Sequence, residues 1–319
     1  MFVILLIKLK QVITFHSYKG GTGKTTLATN LAALLAKKGN NVCIVDIDVY
    51  APSLHWYFGD KVQNKIKNTI NDYIVGACAV DDLLIEVTPI QQLSEKGSLE
   101  GKIIGCFSSP KREDILKIEG VKEDKNRMSM LKRFINFREE LIEKNDIDYV
   151  IMDSSPGIRF WAINALALSD IVFLTLKMGD MDIGGTKMIA NEILAQFKEQ
   201  GNTKYYLLLN RIAGYCIPHM QIGQSHDPNS EPKYSTLTPV ADDFIKKLST
   251  ETGIDVMDSI PCYCDIQFAQ KEFLTVLGYP EHPFSHQIEH LKTLIEIWND
   301  LLNFVSICLK KQVNRSKSI

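Results

Sequence analysis

The chain has 319 residues, 45% of them hydrophobic, with 36 Lys and Arg against 38 Asp and Glu and a formal net charge of −2. That length supports one large α/β domain or two smaller ones around a buried core. The near-neutral balance argues against a globally basic nucleic-acid binder and leaves only a local patch. The seven cysteines are odd in number and scattered, so without a secretory signal they read as cytosolic thiols and not as a disulfide framework.

The chain opens on "MFVILLIKLK", whose apolar run covers only Phe2 to Ile7. It is too short to span a membrane, and the lysines follow it where a signal peptide would place them first. Residues 1–10 read as an appendage, as from an upstream start choice. "QVITFHS" (11–17) is a β-rich run ending in glycines. "KTTLATNLAALLAKKG" (24–39) is helical, with Leu27, Leu31, Leu34 and Leu35 on one face and Gly39 as its stop. "NVCIVDID" (41–48) is the near-continuous apolar run of a buried parallel strand, and "VYAPSLHWYFG" after it reads as a loop.

Residues 60–145 are less transparent. "TINDYIVG" looks helical, "GKIIGCF" (101–107) looks like a strand, and "SMLKRFINFREELIEKN" (129–145) is an amphipathic helix suited to core packing. "IDYVIMDSSPG" (147–157) is a strand and a sharp loop, and "SDIVFLTLKM" (169–178) is another buried strand. "IGGTKMIANEILAQFKEQG" (183–201) is a helix and "KYYLLLNRI" (204–212) a strand. Residues 213–238 form a long polar loop of the kind that is commonly functional. "DVMDSIPCYCD" (255–265) supplies the last strand, and residues 286–311 a long terminal helix. Strands alternating with helices specify a single, doubly wound, mostly parallel β-sheet flanked by helices.

The chemistry concentrates at "KGGTGKTT", residues 19–26, between the first strand and the first helix. Glycines let backbone N–H groups converge on an anion, and a helix N-terminus adds free donors and partial positive charge. Gly20, Gly21, Thr22 and Gly23 would form the cradle, with Thr26 beside it. Lys24 would reach the β and γ phosphates, and Thr25 would offer its hydroxyl to Mg²⁺. The standard G-x-x-x-x-G-K-[ST] pattern fails, because Tyr18 stands where its first glycine belongs. The stretch instead resembles the deviant Walker A motif of the MinD/ParA family of P-loop ATPases, of the SIMIBI class. That resemblance implies different duties for the two lysines: Lys24 serves its own nucleotide, and Lys19 reaches across a dimer interface to the partner's.

Two further motifs follow in family order. "VDIDVYAPSLH" (45–55) ends a strand with Asp46 and Asp48, carboxylates suited to organising Mg²⁺ and positioning water. By resemblance this is switch I, and Asp48 orients the hydrolytic water. "YVIMDSSPG" (149–157) matches the Walker B and switch II pattern. It puts Asp153 at a strand end for Mg²⁺, and lets Gly157 turn its N–H toward the γ-phosphate. Asn210, a donor and acceptor in one side chain, can match the adenine edge. By resemblance Ile260 and Pro261 wall the base. A guanine-reading N-K-x-D signature is not seen, which favours ATP over GTP.

The resemblance covers roughly residues 11–275. It implies a cytoplasmic ATP hydrolase, slow and Mg²⁺-dependent. It would form a nucleotide-sandwich homodimer and act in positioning or partitioning, with an unknown protein partner or activator. The organisation expected is an appendage at 1–10, the ATPase domain at 11–285, and a C-terminal helix with a basic tail at 286–319. In that helix Leu294, Trp298, Leu301, Leu302 and Val305 share a face, and Lys310, Lys311, Arg315 and Lys317 follow. It either packs on the sheet or makes peripheral contact with a membrane surface, and the four cations could also touch DNA non-specifically. Arg159, after switch II, is a surface salt-bridge residue or a partner contact. One alternative is a metal-cluster carrier or targeting ATPase that uses Cys262 and Cys264, with Cys216, His219 and His226 in the long loop as further soft ligands. The other is a non-hydrolysing, nucleotide-gated scaffold.

Overall fold

The computed structural model describes residues 10–87, 99–119, 124–143, 146–198, 203–212, 242–267 and 272–297. Eight strands form one sheet: β1 (Gln11–His16), β2 (Val42–Ile47), β3 (Ile85–Glu86), β4 (Ile103–Cys106), β5 (Tyr149–Ser154), β6 (Ile171–Leu176), β7 (Lys204–Ile212) and β8 (Val256–Pro261). Their spatial order is β3-β4-β2-β5-β1-β6-β7-β8. All neighbours are parallel except β3 with β4. Every residue of β1, β2, β5 and β6 is buried. That is why these stretches read as continuous apolar runs: helices cover both faces of a parallel sheet.

From β1 the chain first builds one side of the sheet, returns to place β5 beside β1, and then builds the other side. The strand order reverses around β1. In open α/β sheets such a reversal leaves a crevice at the carboxyl ends of the strands. The helix Lys24–Lys37 leaves that crevice and is buried almost all round, from Leu27 through Ala36. Its outer side is covered by the short helix Thr275–Gly278 and by Ile288, Leu291 and Ile295 of the terminal helix, all at 0% exposure for the latter three. On the opposite face of the sheet, Val12 and Val45 pack with Phe134, Phe137 and Trp161.

The structure corrects the expectations at several places. The stretch 49–59 is not simply a loop, because Leu54–Phe58 form a 3-10 turn that buries Leu54, Tyr57 and Phe58. Its Ala-Pro-Ser lead-in hides the turn. The helix expected over 183–201 starts earlier, at Asp180, and passes through a π turn at Ile189–Leu194. Gly185 lies against the Tyr18 ring, where a Cβ would collide with it. The antiparallel pair β3–β4 and the helices Arg112–Glu119, Phe160–Ala167 and Asp242–Thr252 were not anticipated. The amphipathic helix, Asp124–Glu143, packs in the core through Met130, Phe134, Phe137 and Leu141. The all-thiol reading fails at Cys264, which is disulfide-bonded, while Cys43, Cys78, Cys106 and Cys262 are in no disulfide. Composition does not say which sulfurs meet.

The terminal helix is described over 283–297 and is seated through Phe284, Ile288, Leu291 and Ile295. Its expected apolar positions from Trp298 onward, the basic tail, residues 1–9 and the loop 213–238 with Cys216, His219 and His226 lie outside the described residues.

Candidate nucleotide site

The glycine-rich turn is fixed by three side chains from the ends of two strands. Asn210, leaving β7, donates to the Thr22 carbonyl at 2.7 Å, and Arg211 Nη1 donates to the Gly21 carbonyl at 3.1 Å. The Thr22 hydroxyl meets that of Thr175, in β6, at 3.0 Å. Gly21 and Gly23 have φ of 75° and 91°, where a side chain would be strained. Gly23 is the N-cap of the helix and offers no side-chain cap. The first-turn N–H groups therefore remain available to an anion.

Lys24 bends back over this turn and donates to Ser17 Oγ at 3.0 Å. Burial lowers its pKa, against the pull of Asp153 and Asp48. The Thr25 hydroxyl donates to Asp153 Oδ2 at 2.6 Å, and the other oxygen of Asp153 is buried without a hydrogen-bond partner. Asp46 stands beside Asp153 in the β2–β5 register. Its two oxygens accept the backbone N–H groups of Asp48 (3.0 Å) and Leu54 (3.2 Å). Asp46 thus holds the loop that carries Asp48, whose own carboxylate accepts from Ala51 N–H at 3.1 Å.

Burial pushes the Asp153 carboxyl up to about 6, with Lys24 and the Thr25 hydroxyl pulling the other way. Asp46 is pushed well above the usual carboxylate range, by burial first and then by Asp153 and Asp48. Three carboxylates here face one ammonium. That imbalance, with the orphaned oxygen of Asp153, fits a divalent cation held by Thr25 and Asp153.

Other predicted residues are placed less directly. Lys19 is half-buried and its ammonium rests on Met181 Sδ at 3.3 Å. The Gly157 N–H donates to the Ser17 carbonyl at 2.9 Å, so this amide ties switch II to the phosphate loop. Asn210 donates an amide N–H to Thr22 and is not among the residues that line the pocket. Pro261 closes β8 beside Ile212. Arg159 forms the expected exposed ion pair, with Glu119 at 3.6 Å, and also lies 3.8 Å above the Tyr50 ring. Sequence reasoning missed Tyr57, whose hydroxyl meets Thr26 Oγ1 at 2.8 Å. It also missed Arg211 and Glu272, which line the pocket with Trp56, Tyr57 and the phosphate loop. Arg211 carried one signal, being next to Asn210; Glu272 carried none.

A family model described as an AAA domain matches residues 10–206, which include the phosphate loop, both switch loops and six of the eight strands. The chain belongs to the AAA domain family. Its phosphate loop is of the MinD/ParA P-loop ATPase type. A MinD-type septum site-determining protein of Oltmannsiellopsis viridis is 24% identical over 245 residues, covering 76% of this chain and 68% of that protein. The sporulation initiation inhibitor protein Soj of Bacillus subtilis is 27% identical over 188 residues, covering 57% and 64%. The cytosolic Fe-S cluster assembly factor CFD1 of Chaetomium globosum is 30% identical over 152 residues, covering 48% and 44%. The match thus spans between under half and about two thirds of these relatives' own lengths. The solved structure of MinD from Pyrococcus horikoshii, complexed with Mg-ADP, has the same fold, with a TM-score of 0.62 at 18% identity over 90% of this chain and 96% of that one. Among the described residues, no helix is long and apolar enough to cross a membrane.

Proposed function

We propose that this AAA domain protein is a Mg²⁺-dependent ATP switch that pairs with a second copy around bound nucleotide, hydrolyses it slowly, and acts in positioning or partitioning. The observation that carries this reading is the uncapped helix N-terminus behind Gly23, with Lys24 folded over the same turn. In this reading the backbone N–H groups of Gly20 to Thr26 hold the phosphates and Lys24 moves from Ser17 to the β and γ oxygens. Mg²⁺ held by Thr25 and Asp153, with Asp46 shaping the loop beside them, would neutralise the phosphate charge. Asp48 positions the attacking water. Lys19 leaves Met181 and contributes its charge to the partner's nucleotide. Ile158, Phe160, Met178 and Met181 are exposed apolar side chains, as expected of residues that a second copy covers.

The test is the mass in solution, by light scattering, of wild type, Lys19→Ala, Lys24→Ala and Asp48→Ala, with and without Mg-ATP. The expected result is that ATP doubles the mass of Asp48→Ala, whereas Lys19→Ala stays monomeric and Lys24→Ala binds no ATP. A mass that ignores nucleotide in all four overturns the switch reading.

A second reading, a metal-cluster carrier, is favoured by the likeness to CFD1. It would use the half-buried thiol of Cys262. Two observations weigh against it: Cys264 is disulfide-bonded, and among the described residues no group of three or more His, Cys, Asp or Glu could hold a metal. Metal content that drops in Cys262→Ser would support it, and content near zero in wild type rejects it.

A further inference from the structure

The phosphate loop accounts for one end of the pocket. The other end is walled by Ser53, Trp56, Tyr57, Arg211 and Glu272. A carboxylate is an unexpected neighbour for a phosphate site, since it repels the ligand's anionic end. It accepts hydrogen bonds and cannot donate them, so a ligand must bring donors to it.

Glu272 is held in place by a short chain of hydroxyls. Thr26 Oγ1 and the Tyr57 hydroxyl are 2.8 Å apart, and the Tyr57 hydroxyl in turn hydrogen-bonds the Glu272 carboxylate. The Tyr57 phenol is buried and its pKa is raised, by burial first and then by Glu272, so it remains a neutral donor. Thr26 lies in the first turn of the helix, where the phosphate nearest the sugar would rest. Two hydrogen-bond lengths from its hydroxyl, about 5–6 Å, reach the carboxylate. One ribose ring spans the same distance from the α-phosphate to its 2′ and 3′ hydroxyls. An adenine nucleotide has few donors: those two hydroxyls and the N6 amine. The N6 amine lies on the far side of the base, well beyond that distance from the α-phosphate, so the hydroxyls are the donors that fit Glu272.

We propose that Glu272 is the ribose-recognition residue of this pocket. It accepts hydrogen bonds from the vicinal 2′ and 3′ hydroxyls, with Tyr57 setting its position, and so selects ribonucleotides over deoxyribonucleotides. The proposal rests on the ATP-switch reading and deepens it. It assigns Glu272 no part in bond breaking.

The experiment is calorimetric titration of the full chain with ATP, 2′-deoxy-ATP and 3′-deoxy-ATP, in Mg²⁺, for wild type, Glu272→Gln, Glu272→Ala and Tyr57→Phe. Wild type is expected to bind ATP roughly 10- to 100-fold more tightly than either deoxy analogue, the worth of a charge-assisted hydrogen bond. Glu272→Ala should bind all three alike, no more tightly than wild type binds the deoxy analogues. Glu272→Gln, which keeps one acceptor, should retain a reduced preference. Tyr57→Phe, which removes the hydroxyl that positions Glu272, should narrow the preference. Equal affinity of wild type for all three nucleotides overturns the proposal. So does a Glu272→Ala variant that weakens ATP and deoxy-ATP by the same factor, which would make the carboxylate only a brace for Tyr57. If wild type binds none of the three, it is the ATP reading itself that fails.

Discussion

His16 ends β1 directly beneath the phosphate loop and is 0% exposed. Its Nδ1 meets Ser154 Oγ at 2.7 Å, and its Nε2 is buried without a partner. Burial, reinforced by the Lys24 charge, lowers its pKa to about 3 from an ordinary 6.5. The unfolded chain therefore binds a proton below pH 6.5 that the native site refuses. The stabilising contribution is complete above about pH 6.5 and is lost progressively as pH falls toward 3. Melting curves from pH 4 to 8 should show wild type losing stability on acidification faster than His16→Gln, which has nothing to titrate there. Equal slopes would place the acid sensitivity elsewhere. Nothing in "QVITFHS" marks this histidine, because its burial comes from strands far along the chain, with Ser154 138 positions away.

The helix Lys24–Lys37 shows how one element serves both core and site. Leu27 and Leu31 are fully buried, and the buried alanines beside them, Ala28, Ala32 and Ala33, allow the sheet and the terminal helix to approach on both sides. Helix propensity contributes little to this beyond its Ala and Leu content; the packing decides. Leu31→Ala should cost about 2–5 kcal/mol in denaturant unfolding, by lost burial and the cavity left behind. A cost below about 1 kcal/mol would mean the helix is less tightly packed than described. The helix was legible, since its leucine spacing and glycine stop are local. The start of the helix at Asp180 and its π turn were not. Glycine has low helix propensity, yet Gly185 is needed here for the close approach of the Tyr18 ring.

At the scale of the molecule, β5, β1 and β6 are the central strands, with parallel neighbours on both sides. β3 has only two residues and one antiparallel partner, and β8 is mostly half-buried. Amide hydrogen exchange should therefore be slowest in β1, β5 and β6 and fastest in β3, with β8 between them. Uniform exchange across the sheet would contradict this ordering. The parallel core was readable because strands covered on both faces become continuous apolar runs, as in "CIVDI" and "IVFLTL". The edge was not, because two residues carry no period.

The sequence by itself determined the fold class, the phosphate turn and the family. Each rests on local patterns: a run of apolar residues, a fixed spacing of glycines and lysines, an aspartate at a strand end. Only the tertiary structure decided which side chains finish the pocket. Asp46 meets Asp153 through strand register, Asn210 reaches Thr22 across 188 positions, and Tyr57 links Thr26 to Glu272. These contacts join segments far apart in the chain, and no periodicity records a distance that exists only after the sheet has formed.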